Sequence, residues 1–261
     1  MRDHDSVAQR QAEYFDGLVV NQGTFNPFAD SAWRRLADRF EEWVPPTAAM
    51  ALLDVGCGTG ASHAIYRGRA TRYVGIDLSA RSIEAARERE PNVEWQTADA
   101  CALPFSDGTF DVVAFSSVLH HIPDFERAVR EAARVVRPGG AIFAFDPNLL
   151  HPGMLLLRHP KSPLYMREGV TEDECPMLPS KLRRGFSAAG LAEIRQRAMS
   201  GLAYREVGPR AVNSALGLFN AVDWAWEAVG LGRLFGSFVL TFGRRPMSDD
   251  AKGLTPLPQD G

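Results

Sequence analysis

Three glycines at alternate positions close the apolar run Leu52-Leu53-Asp54-Val55-Gly56-Cys57-Gly58-Thr59-Gly60, and nothing else in the 261 residues restricts the fold as tightly. A second apolar run, Val74-Gly75-Ile76-Asp77, ends in an acid seventeen residues after Gly60. This order predicts strand, glycine turn, helix, strand, carboxylate, which is how a parallel α/β sheet builds a nucleoside pocket. Glycine permits backbone conformations, and a closeness of ligand, that a Cβ blocks. A carboxylate closing the second strand can accept hydrogen bonds from both ribose hydroxyls.

The alternation continues along the chain. Strands are predicted at 51–55, 73–77, 93–97, 111–116 and 140–145, with helices between them at 60–68, 79–89 and 124–136, so the sheet is mostly parallel. Asp124 is a sound N-cap, Ala128, Val129, Ala132, Val135 and Val136 supply a buried stripe, and Pro138-Gly139-Gly140 ends the helix. Upstream, a short helix through 9–15 should end at Gly17. A second, over 31–43, is capped by Ser31, buries Leu36, Phe40 and Trp43, and stops at Pro45-Pro46. Downstream, 147–179 is rich in Pro and Gly and carries the acidic run Glu172-Asp173-Glu174, as a lid or substrate wall would. A helix at 182–189 and strands at 191–199 and 238–242 follow. The apolar segment 211–235 is interrupted by Asn213, Asn220, Asp223 and Glu227, so a packed helix or a cover fits it better than a membrane span. Residues 246–261 read as a disordered tail.

Asp54-Val55-Gly56-Cys57-Gly58-Thr59-Gly60 resembles motif I of the class I S-adenosylmethionine (SAM) dependent methyltransferases. Tyr73-Val74-Gly75-Ile76-Asp77-Leu78-Ser79 is similar to that family's ribose-binding strand end, and Ala98-Asp99-Ala100 with Leu103-Pro104-Phe105 to its adenine-side motif. Phe110-Asp111-Val112-Val113 and Val136-Arg137-Pro138-Gly139-Gly140 complete five motifs in the family's order. The small-molecule, UbiE-like group is the nearest in kind. The resemblance implies an α/β fold: a Rossmann-like, seven-stranded, mostly parallel sheet with helices on both faces, and a last strand added as an antiparallel edge insertion. It implies one domain over 1–245, with a helical lid at 1–45, a SAM-binding core at 50–147 and substrate-side insertions at 148–180 and 200–235. The cofactor would be SAM and the coproduct S-adenosylhomocysteine. Its methionine part would lie over Gly56, Cys57, Gly58 and Gly60, with Asp54 holding the amino group. Asp77 would bind the ribose, Leu78 would pack on adenine, and Asp99 and Ala100 would meet the adenine edge. Ser116 would face the methionine end, and Tyr14 with Phe15 would form an aromatic lid.

The acceptor side rests on Leu119-His120-His121-Ile122-Pro123, directly after the fourth strand. A neutral imidazole suits removal of a hydroxyl or ammonium proton during methyl transfer. In some sugar O-methyltransferases such a pair works with an acid after the fifth strand, where this chain has Asp146. His121 with Asp146 is therefore the expected base and orienter, with His120 beside them; packing of the loop is the competing role for both rings. Catalysis by positioning alone is also open.

Composition narrows the partners. A net charge of −3 argues against nucleic acid. So does Ser116-Ser117-Val118-Leu119, where DNA amino-methyltransferases carry an Asn/Asp-Pro-Pro-aromatic run. Cys57, Cys101 and Cys175 are too few and too scattered for a disulfide framework or zinc site, and no metal is expected. The polar N-terminus lacks a signal peptide's apolar centre, so a cytoplasmic protein is expected, acting on a small, partly hydrophobic acceptor. O-methylation is the leading expectation. N- or C-methylation, and a SAM-binding protein without chemistry, are the alternatives; a homodimer is left open.

Overall fold

Period-two alternation along the central strands decides which layers form. Leu52, Val112, Ala114, Phe143 and Phe145 bury against Leu36, Phe40 and Trp43 on one face of the sheet. Leu53, Val55, Val113, Phe115, Ile142 and Ala144 bury against Phe125, Val129, Ala132 and Leu182 on the other. The computed structural model describes residues 4–22, 26, 28–45, 47–163, 165, 174, 176–203 and 210–247. In chain order its elements are α1 (His4–Gln22), α2 (Asp30–Trp43), β1 (Ala51–Val55), α3 (His63–Tyr66), β2 (Arg72–Asp77), α4 (Ala80–Arg89), β3 (Glu94–Thr97) and β4 (Phe110–Ser116). There follow α5 (Phe125–Val135), β5 (Val136–Pro147), α6 (Pro152–Arg158), α7 (Pro179–Ala188), β6 (Ala192–Met199), α8 (Arg210–Ala228), α9 (Gly232–Phe235) and β7 (Phe238–Arg244).

The seven strands lie in the order β3-β2-β1-β4-β5-β7-β6, and β7 alone runs antiparallel, between β5 and β6. Strand order reverses between β1 and β4, and open sheets bind ligands at the carboxyl ends beside such a reversal. The α/β sheet and its antiparallel last strand are as expected, but β7 is not the edge strand expected: it lies between β5 and β6 and leaves β6 at the edge.

Several boundaries differ from the sequence expectation; α7 starts at Pro179 and not at 182, and the N-cap of α2 is Ala29 and not Ser31. Helix α1 runs through Gly17 to Gln22; an interior glycine costs only about 1 kcal/mol. The helix expected over 60–68 shrinks to α3, because Gly58 and Gly60 take φ of +53° and +81° and hold the chain out of the right-handed helix. Strand β5 begins at Val136, not 140: Val136 pairs with Phe110, and the register then shifts before Val112 meets Ala141. The segment 211–235 is largely helical, as α8 and α9, yet Val222, Trp224 and Val229 face outward at 45%, 53% and 69% exposure. Its anchor is polar: buried Asp223 accepts from the Gly201 N–H (2.5 Å) and the Ser237 hydroxyl (3.2 Å). Arg35 of α2 also pairs with Glu227 of α8 at 3.2 Å. Helix α6 was not anticipated. The expected tail from 248 onward, Glu172-Asp173 and Cys175 lie outside the described residues.

Candidate active site

The glycine loop is fixed from below. Gly56 and Cys57 both donate backbone N–H groups to the Ile76 carbonyl, at 2.9 and 3.0 Å, which joins the end of β1 to β2. Gly56 has no room for a Cβ, since Val118 fills the space, whereas a Cβ at Gly58 would meet nothing within 4 Å. The loop therefore offers an open cradle above Gly58 at the carboxyl end of β1. Cys57 turns its side chain away from it, into a cluster with Ile83, Ala86 and Trp95. Only its backbone belongs to the cradle, and burial pushes its thiol well above the ordinary range.

Asp54 lies deeper than expected. Its carboxylate is fully buried and accepts from Ser116 Oγ (2.5 Å), Ser62 Oγ (2.6 Å) and Tyr73 OH (2.7 Å). A hydroxyl has one proton to give. Ser116 spends its proton on Asp54, so Tyr66 OH donates to Ser116 Oγ at 2.9 Å. Burial raises the Asp54 pKa to about 6, with the three hydroxyls pulling it back down. Through these bonds Asp54 ties β1 to β2, to the start of α3 and to β4, and fixes Ser116 at the cradle's floor. Neither tyrosine was foreseen; aromatic residues near a buried acid carry no spacing signal.

Asp77 and its neighbours sit where the sequence placed them. Asp77 is half-buried and accepts from the Gly58 N–H and the Ser79 N–H, both at 2.9 Å. Its pKa is raised by burial, opposed by those backbone donors. Leu78 follows, half-buried. Ala98 donates to the Asp77 carbonyl at 3.0 Å, which brings the β3 end to the same rim. There Asp99 closes its own turn by accepting from the Cys101 N–H at 2.8 Å, and Ala100 packs beneath.

Helix α1 covers this rim. Asp16, which the sequence did not single out, accepts from Ser79 Oγ (2.5 Å) and the Arg81 N–H (3.1 Å), at the positive end of α4. One residue earlier, Phe15 sets its ring edge-on to His121, centroids 5.1 Å apart, and Tyr14 packs edge-on to Phe15 at 5.3 Å. Burial and Glu174 raise the Tyr14 pKa, against the Arg158 charge, so Tyr14 belongs to the histidine side of the rim.

The histidine loop leaves β4 through Ser117, whose φ of +57° is uncommon for a residue with a Cβ. It then makes a single 3-10 turn over Leu119–His121. The expected pairing is corrected by the geometry: His120, not His121, meets Asp146. His120 uses both its backbone N–H (3.1 Å) and its Nδ1 (2.8 Å) on Asp146 Oδ1. Asp146 Oδ1 already accepts the His120 backbone N–H; with Asp146 as acceptor to the ring as well, Nδ1 would carry the proton and Nε2 would present a lone pair. Burial, then Arg158, pushes the His120 pKa down to about 3; burial pushes Asp146 well up, opposed by the His120 and Leu119 N–H groups. His121 is lowered by burial and then by His120, whose ring lies 4.0 Å away. Its Nδ1 comes to 3.5 Å from Glu174 Oε2 without hydrogen-bond geometry. The clue to Glu174 was its place in the acidic run, 53 residues beyond His121.

Residues 53–144 match the family model described as a methyltransferase domain. Among curated proteins, the chain is 40% identical over 125 residues to 27-O-demethylrifamycin SV methyltransferase of Amycolatopsis mediterranei, covering 45% of this chain and 46% of that protein. It is 35% identical over 126 residues to the ubiquinone/menaquinone biosynthesis C-methyltransferase UbiE of Dinoroseobacter shibae, covering 45% and 50%. The chain thus spans about half the length of the curated relatives it matches. Among solved structures, the [4+2]-cyclase SpnF superimposes with a TM-score of 0.61 at 20% identity, over 92% of this chain and 97% of that one. Residues 53–144 of this chain are thus similar to the methyltransferase domains of SAM-dependent enzymes.

SAM is the cofactor of that class, and the rim fits it. The open space above Gly58, the Asp77 carboxylate at the rim and the Leu78 and Asp99 edge suit its methionine, ribose and base in turn. Arg244 and Arg245, a basic pair in sequence, spend their guanidiniums on the carbonyls of Gly139, Arg134 and Val136. Among the described residues no helix is long and apolar enough to cross a membrane.

Proposed function

We propose that this protein transfers the SAM methyl group to a hydroxyl of a small, partly hydrophobic organic molecule. The observation that carries the reading is His120: an oriented, neutral imidazole on Asp146, one short loop beyond Ser116 and under the α1 lid. SAM supplies a methyl on a sulfonium, which moves by in-line displacement, so orientation and exclusion of water do much of the work. His120 Nε2 accepts the hydroxyl proton as the C–O bond forms. Asp146 fixes the tautomer and offsets the charge that the ring then gains. Phe15 and Tyr14 shut water from that side. Asp77 and Asp99 hold the ribose and adenine ends, while Asp54 acts through Ser116.

The curated relatives support small-molecule acceptors: one is named for an O-demethylated rifamycin, another for quinone C-methylation. The second favours an alternative, methylation of a quinol carbon, in which the same imidazole would take the ring proton. One fold hosts several chemistries, so the fold cannot choose between them. An assay with methyl-labelled SAM over phenols, macrolide alcohols, quinols and amines decides the matter. Label on oxygen, lost by about 100-fold or more in His120→Ala, is expected. Label on carbon would select the alternative. Binding of SAM with no transfer to any acceptor would overturn the enzymatic reading.

A further inference from the structure

We propose that His120, His121 and Glu174 form a site for one divalent first-row transition-metal ion of the zinc or cobalt kind, facing the acceptor. Their ligand atoms all lie within 4.8 Å of one another. The side chains are nearly closed to solvent, at 6%, 17% and 12% exposure. The inference rests on the methyl-transfer reading only for the ion's use, not for its binding.

Four features set this cluster apart from an ordinary pair of loop histidines. Asp146 occupies His120 Nδ1 and so directs Nε2 outward; a carboxylate behind an imidazole is the usual outer shell of a metal-bound histidine. His121 Nδ1 is buried with no hydrogen-bond partner, which a coordinating ion would supply. The two rings lie 4.0 Å apart, so a single ion can reach both. Glu174 brings the negative charge, against the Arg158 guanidinium that faces His120 and Tyr14. Two imidazole nitrogens and one carboxylate favour zinc, cobalt or iron over magnesium, which prefers oxygen alone. Three protein ligands also leave positions open for an acceptor's oxygens. Vicinal hydroxyls, a hydroxyketone or a hydroquinone would fit that opening.

The ion would take over the task of His120 Nε2. A hydroxyl oxygen in its coordination sphere gives up its proton to solvent more readily. That oxygen's lone pair then forms the C–O bond, and the C–S electron pair leaves with the thioether.

The test is titration of metal-stripped, full-length protein with Co2+, followed by calorimetry and visible absorbance, with SAM titrated into the same samples. The expected result is one ion per chain, weakened about tenfold or more in Glu174→Gln and in His121→Gln, and by a similar factor in Asp146→Asn. Glu174→Gln should keep its SAM affinity, which certifies its fold; His121→Gln serves if it does not. No stoichiometric Co2+ binding, or binding indifferent to Glu174→Gln and His121→Gln, would overturn the site. That outcome would leave methyl transfer standing. A protein that binds SAM but methylates nothing, with or without Co2+, would instead overturn the transfer reading and leave the ion site intact.

Discussion

Asp54 and His121 illustrate how burial redirects residues whose types are legible in sequence. An acid heading a glycine loop suggests a ligand contact, yet three hydroxyls already fill Asp54 and carry its influence to Ser116. Tyr66, which completes that network through Ser116, comes from an element with no motif of its own, and Tyr73 heads the ribose-side motif without any spacing that points to Asp54. His121 is held neutral well below the ordinary imidazole range by burial and by the His120 ring. In the unfolded chain its pKa returns to about 6.5. Below that pH the unfolded state therefore takes up a proton that the folded state refuses, so this residue's contribution to stability falls as pH falls. His121→Gln should flatten the loss of unfolding free energy between neutral pH and about pH 5, measured by denaturant titration. An equally steep loss in the variant would show that His121 is already charged in the folded protein.

Among the elements, α1 is the one whose docking does most for the site. Its Asp16 sits on the positive end of α4, beside the Ser79 cap, while Phe15 reaches the histidine loop from the next position. Asp16→Ala should cost the lid about 1 kcal/mol, near fivefold in population. Amide exchange in α1 should quicken while β1 and β4 stay protected, and SAM should dissociate a few times faster. Unchanged exchange in α1 would mean that its apolar face alone holds it down. The strands around the glycine loop were readable because apolar alternation and glycine spacing are local signals. The ends of α3 and β5 were not, because positive-φ glycines and the β4 register decide them. The lid's aromatic pair was visible in sequence. Its partners Asp16 and Ser79 lie 63 residues apart, and no local pattern joins them.

Across the whole molecule, the methyltransferase match ends at residue 144, and Asp146 and Glu174, which meet the histidine pair, lie beyond it. Glu174 reaches the histidines from that half, and the buried carboxylate of Asp223 pins α8 to it. Asp223→Ala strands the buried donors of Gly201 and Ser237. The cost should be about 2 kcal/mol, or about 4–8 °C in Tm, read by thermal unfolding with and without SAM. A shift under about 1 °C, on the same scale, would mean that α8 is held by other contacts.

Everything proposed for the acceptor presupposes a SAM pocket between Gly58 and Asp77, and calorimetric titration with SAM and S-adenosylhomocysteine tests that pocket most directly. Both should bind the native chain. Asp77→Ala, which removes the ribose acceptor and frees the Gly58 N–H, should weaken both by about tenfold to 100-fold. Binding of neither compound by the native protein, or equal binding by the variant, would contradict a SAM pocket built on Gly58 and Asp77.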